Sequence, residues 1–171
     1  MARYAEGTSV SPERSQMEIS ETLRKYGASG FAYGWEDRKA MIGFRFNDRQ
    51  VRIFLDLPEA SDPEFARTTT GRTRDAAGRR TAFEAETRRR WRALALAIKA
   101  KLEAVETGIT TFEEEWLAHI VLPDGSTVAD TILPEIERAW KAGVMPQRLL
   151  PQLPSGPRST DDDDVIEVDS R

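Results

Sequence analysis

Between Phe31 and Leu57 apolar side chains recur at every second position; between Thr81 and Gly108 they recur at every third or fourth. The first period is that of a half-buried strand and the second that of a helix with one covered face. Phe31, Tyr33 and Trp35 alternate with Ala32 and Gly34. Ala40, Ile42, Phe44 and Phe46 alternate with Met41, Gly43 and Arg45, and Val51, Ile53, Leu55 and Leu57 alternate with Arg52, Phe54 and Asp56. Turn signals at Asp37-Arg38 and Asn47-Asp48 join the three runs into an antiparallel meander. Two-residue loops there pair Tyr33 with Ile42 and Phe44 with Val51, which puts the aromatic row, Ile42, Phe44 and Phe46, and Val51, Ile53 and Leu55 on one face. Slipping either hairpin by one residue would turn one strand over.

The other face of that sheet collects Gly30, Ala32, Gly34, Met41, Gly43, Arg45, Gln50, Arg52 and Phe54. Small residues leave a shallow floor flanked by Arg45 and Arg52. It suits either solvent or something laid closely against it.

Thr81 and Glu84 have the spacing of a capping box, and Gly108 stands where a helix stop is expected. Trp91, Leu94, Ala95, Ile98, Leu102 and Val105 form the stripe of this central helix, Thr81 to Gly108, which should cover the aliphatic face of the sheet. A second face carries Ala93, Ala97, Ala100 and Ala104, and suits close approach of another helix or a second copy of the chain. Before the meander, Ser11-Pro12 reads as N-cap and first turn of a helix carrying Ile19, Leu23 and Tyr26 and ending at Gly27. After the central helix, Thr110/Glu113 and Thr111/Glu114 are overlapping capping pairs for a helix with Phe112, Trp116, Leu117 and Ile120. Thr127 to Ala142 reads as the last helix, kinked or interrupted by Pro134. The expected fold is α+β: an N-terminal helix, a three-stranded antiparallel meander, a long central helix and two further helices. Residues 1–10 are a flexible lead, 11–143 the domain with a flexible basic loop over 58–81, and 144–171 a Pro-rich, then acidic, disordered tail.

Charge changes the picture. The chain of 171 residues has a net charge of −4, but Arg67 to Arg92 holds nine arginines against Asp75, Glu84 and Glu86, a local +6. Residues 158–171 hold two arginines against six acids, a local −4. Arg67, Arg72, Arg74, Arg79 and Arg80 fall in the expected loop, and Arg88, Arg89 and Arg92 in the helix after it. With Arg45 and Arg52 they are the candidate nucleic-acid-binding residues, because planar guanidinium groups fork onto phosphates and stack on bases. The opposing reading pairs these arginines with Glu84 and Glu86 on a solvated helix face. Residues 161–168, DDDDVIEV, combine charge with Val165, Ile166 and Val168 and suit a protein partner or a solubilising end.

The chemistry of catalysis is thin. There is no cysteine and one histidine, His119, so thiol nucleophiles and thiolate metal sites are excluded. Glu113, Glu114 and Glu115 are consecutive and fan around a helix, a poor metal cage. Phe31, Tyr33 and Trp35 could stack bases, but their register places them with the core face. No cofactor is implied, and no run is long and apolar enough for a leader or a membrane span. The cytoplasm, that of a bacterial host, is the expected location.

The runs RWRALALAIKAKLEAVETGITTFEEEWLAHIVLPDG and KYGASGFAYGWEDRKAMIGFRF resemble those of small uncharacterised proteins encoded by bacteriophages and prophages, over a stretch of the chain from residue 8 to 142. That resemblance implies a phage context and brings no assigned activity or functional residue. The function expected from charge and composition is non-catalytic binding of single-stranded DNA or RNA in phage-type DNA metabolism. The alternative is a protein–protein adaptor acting through the helical surface and the acidic tail.

Overall fold

The computed structural model describes residue 5 and residues 7–144. The elements run α1 (Pro12–Lys25), β1 (Ser29–Glu36), β2 (Lys39–Phe46), β3 (Arg49–Asp56), α2 (Ala76–Glu106), α3 (Phe112–Trp116) and α4 (Val128–Ala142). Single 3-10 turns occur at Pro63–Phe65 and Leu117–His119. This is the expected α+β architecture. The acidic segment 161–168 lies outside the described residues.

The chain forms two compact units, divided after Asp130. In the first, the sheet order is β1-β2-β3, antiparallel throughout. Tyr33 pairs with Ile42 and Phe44 with Val51, the register the alternation demands. Asp37 and Asn47 open the two hairpin turns, each at φ 49°, the left-handed conformation that primed two-residue turns require and that Asp and Asn tolerate. One face of the sheet is the core: Ala40, Ile42, Phe44, Val51 and Ile53 are buried with Trp91, Ala95, Ile98 and Leu102 of α2. Leu94 and Val105 pack at the edge of that cluster. Ile19 and Leu23 bring α1 into the same core.

α1 lies beside α2 and runs the same way, since Arg92 bonds Glu18 at one end and the Tyr26 hydroxyl donates to Glu103 at the other. Ser11 accepts from the Arg14 N–H and Pro12 occupies the first turn, the start read from the sequence. At α3 Thr111 and Glu114 cap each other's backbone N–H reciprocally. Phe112 and Trp116 drop into the core, with Phe112 stacked on Phe46 at 4.2 Å and Trp116 edge-on to Phe44 at 5.2 Å. Leu117, expected in that stripe, is exposed, because the helix tightens to a 3-10 turn after Trp116 and swings it outward. His119 sits in that turn, and burial first, then Lys101, lowers its pKa, as for an ordinary structural histidine.

The central helix starts earlier than expected. Asp75, not Thr81, is its N-cap, accepting from the Gly78 N–H at 2.8 Å. A Cβ on Gly78 would sit 3.0 Å from that carboxylate oxygen, so the cap fits glycine there best. Residues 76–80 are therefore helical, and the run expected as loop shortens at its C-terminal end. α4, whose body belongs to the second unit, continues through Pro134 without interruption, at the loss of one i→i−4 hydrogen bond. No helix among the described residues is long and apolar enough to cross a membrane.

The alanine face of α2 is open at its centre: Ala97 and Ala100 are exposed, while Ala93 and Ala104 are half-buried. Ala97→Glu should shift the unfolding free energy by no more than about 0.5 kcal/mol, the usual range for exposed surface sites. A thermal melt showing a loss of several kcal/mol, or a lower mass by light scattering, would mean that another helix packs there.

Candidate nucleic-acid interface

The basic segment begins with a tight hairpin over residues 66–74. Arg67 bridges to Thr73, the Arg74 N–H donates to the Ala66 carbonyl at 2.9 Å, and Thr68 N–H donates to the Arg72 carbonyl at 2.8 Å. Gly71, at φ 83°, makes the return at the tip. Phe65, buried just before the hairpin, meets Phe83 edge-on at 6.0 Å and anchors it to the second turn of α2. Between hairpin and helix lies an open groove of about 670 Å³, lined by Glu64, Arg67, Thr68, Arg74, Glu86 and Arg89 among others.

The structure divides the arginines by what holds them. Arg74 turns inward, donating to the carbonyls of Phe65 and Arg67, and is a clasp of the hairpin. Arg80 pairs with Glu84 at 2.9 Å one turn along. Arg89 and Arg90 share the Glu86 carboxylate. Hydrogen bonding from Arg89 above all, with Arg90 assisting, holds the Glu86 pKa below its ordinary value although burial opposes this. Arg92 is spent on Glu18 of α1. Arg80, Arg89 and Arg90 thus pair with Glu84 and Glu86 as the alternative to a phosphate strip had it, while Arg92 pairs across to α1.

Arg67, Arg72 and Arg79 remain, exposed and with no side-chain hydrogen bond or ion pair among the described residues. Arg88 is likewise unpaired but half-buried. All belong to the hairpin or the N-terminal half of α2.

Arg45 and Arg52 stand apart from this group on the outer face of the sheet. Arg52 donates to the Gly125 carbonyl at 2.7 Å, lies 3.8 Å from the Asp130 carboxylate and covers the Phe54 ring at 5.3 Å. It fastens the sheet to the 121–130 turn. Arg45 is exposed and has no side-chain partner among the described residues. Within the first unit the small-residue floor beside it is open, with Phe54 half exposed.

Arg90 was outside the sequence-derived set, yet it reaches the Asp56 carbonyl at 2.7 Å and stands 3.9 Å from Glu64. Nothing local in the sequence signals a contact across 34 positions. Among the described residues no group of three His, Asp or Glu side chains could hold a metal ion. Comparison with protein-family models, curated proteins and solved structures finds no match.

Proposed function

We propose that this protein binds single-stranded nucleic acid without acting on it chemically, through the hairpin 66–74 and the first turns of α2. The observation that carries this reading is the set Arg67, Arg72 and Arg79: three exposed guanidinium groups within thirteen residues, none neutralised by a carboxylate among the described residues. Asp75, the one acid between Arg67 and Arg79, is occupied in capping the helix. Unpaired guanidinium groups in such density raise the local potential and are available to phosphate oxygens. A single strand is the favoured ligand because guanidinium groups both fork onto its phosphates and stack on its unpaired bases. The resemblance to phage-encoded proteins is the sole ground for placing this binding in phage DNA metabolism.

The test is anisotropy of a labelled oligonucleotide across a salt series. Replacing Arg67, Arg72 and Arg79 together with alanine should lower the salt slope by about 2, at about 0.7 per phosphate contact on single strands. Melting should be nearly unchanged, since all three side chains are exposed. Arg74→Ala should behave oppositely, losing stability through the hairpin carbonyls it satisfies. No binding to DNA or RNA at low salt would end this reading.

A further inference from the structure

β1 is an edge strand of the sheet. The outer edge of β3 is engaged, by the bridge from Val51 to Ile120 and by the Val121 N–H on the Gln50 carbonyl at 2.8 Å. Among the described residues, no backbone group pairs with the outer edge of β1. Soluble proteins usually protect such an edge with proline, lysine or a covering segment. The strand SGFAYGWE carries neither residue, and its one charge is Glu36 at the end.

The two-residue turn at Asp37-Arg38 makes Glu36 and Lys39 the hydrogen-bonded pair that closes the hairpin. By alternation Gly34 and Ala32 also bond inward, so Phe31, Tyr33 and Trp35 direct their backbone N–H and C=O groups to the free edge. Their side chains belong to the core face, where Tyr33 meets Trp91 edge-on at 5.6 Å and Trp35 at 5.8 Å. Yet they stay 39%, 37% and 71% exposed, because the covered layer ends at β1.

The geometry points to a second copy of this chain as the occupant of that edge, paired antiparallel through β1 to give a continuous six-stranded sheet across a two-fold axis. With Tyr33 opposite Tyr33 of the second copy, Phe31 falls opposite Trp35, and all three outward-bonding residues find partners. The same register keeps core face against core face, so six aromatic side chains form one row across the axis; a shift by one residue would set aromatics against Ala32 and Gly34. Charge fits the same register. Glu36 falls opposite Gly30 of the second copy, which has no side chain and sits in the bulge between Ser29 and Phe31. Arg45 lies beyond it on the next strand, paired with Ser29. At strand spacings near 5 Å the two side chains can meet across the glycine. Neither Glu36 nor Arg45 has a side-chain partner among the described residues of its own chain. This assembly is independent of the nucleic-acid reading.

Sedimentation analysis of the full chain tests it. The expected result is a dimer that Glu36→Arg alone and Arg45→Glu alone each weaken, by about tenfold in dissociation constant, and that the double reversal restores. Both sites are exposed, so the variants should fold, and unchanged circular dichroism would verify this. A chain that stays monomeric at every concentration overturns the proposal. A dimer indifferent to both reversals does so as well, and would place the contact elsewhere.

Discussion

Trp116→Ala should cost about 3–5 kcal/mol, the range for truncating a buried aromatic, and lower the melting temperature by roughly 6–20 °C at 2–4 °C per kcal/mol for a chain of this size. Trp116 is fully buried. It is the point at which the short α3 locks onto the sheet, edge-on to Phe44 and near-parallel to Phe112. The Lys101 ammonium group stands 5.5 Å above its ring while bonding Glu115 at 2.7 Å, which ties α3 to α2 as well. Truncation would open a void beneath three elements at once. The indole N–H, however, has no hydrogen-bond partner among the described residues, and a buried unpaired donor is a standing cost. Trp116→Phe should therefore cost well under half as much, because it keeps most of the ring packing and removes the orphaned donor. Chemical denaturation of both variants checks this; a loss for Trp116→Phe above half that of Trp116→Ala would contradict it.

The register of the meander was legible because it is over-determined. Three alternating runs and two turns must agree on which face is apolar, and a single arrangement satisfies them all. The stripe of α2 was legible for a similar reason, Trp91 to Val105 spanning four turns with one apolar side. Its start was not. Thr81 and Glu84 imitate a cap, but Glu84 is drawn to Arg80, and the backbone has already been made helical by Asp75 and anchored by Phe65 on Phe83. Asp75 lies six residues before Thr81 in a run that shows no helical periodicity, and that tertiary contact is what makes it the start.

The arginines show the same limit. Pairing within one helix, Glu86 with Arg89 and Arg90, follows from spacing. Arg92 with Glu18, 74 positions away, and Arg90 with the Asp56 carbonyl do not. Composition counted nine arginines as equivalent; folding spends some of them on structure. The exposure of Phe31, Tyr33 and Trp35 was invisible for a related reason. Alternation assigns a face, but whether a strand is central or at the edge is a property of the assembled sheet.

Glu86→Gln separates the structural use of this basic region from its proposed binding use. The carboxylate is only slightly exposed, at 12%, against 23% for Arg89 and 26% for Arg90. Its removal leaves two half-buried guanidinium groups short of a charge-assisted partner, at a cost of about 1–2 kcal/mol at neutral pH, below the fully buried case because water still reaches both. The pH dependence has a definite sign. The folded pKa of Glu86 is depressed, so its contribution is complete above the ordinary carboxylate range and is lost as pH falls through the depressed value. The gap between wild type and Glu86→Gln should thus be widest at neutral pH and close on acidification. Binding should move the other way. Glu86 lines the groove shared with Arg67, Arg74 and Arg89, and deleting its charge should strengthen single-strand binding by about 0.5–2 kcal/mol at low salt, for phosphates some 8 Å away. Loss of stability with tighter binding would place the nucleic acid along this groove. Loss of stability with unchanged binding would leave Glu86 as a purely structural partner and move the contact off the groove.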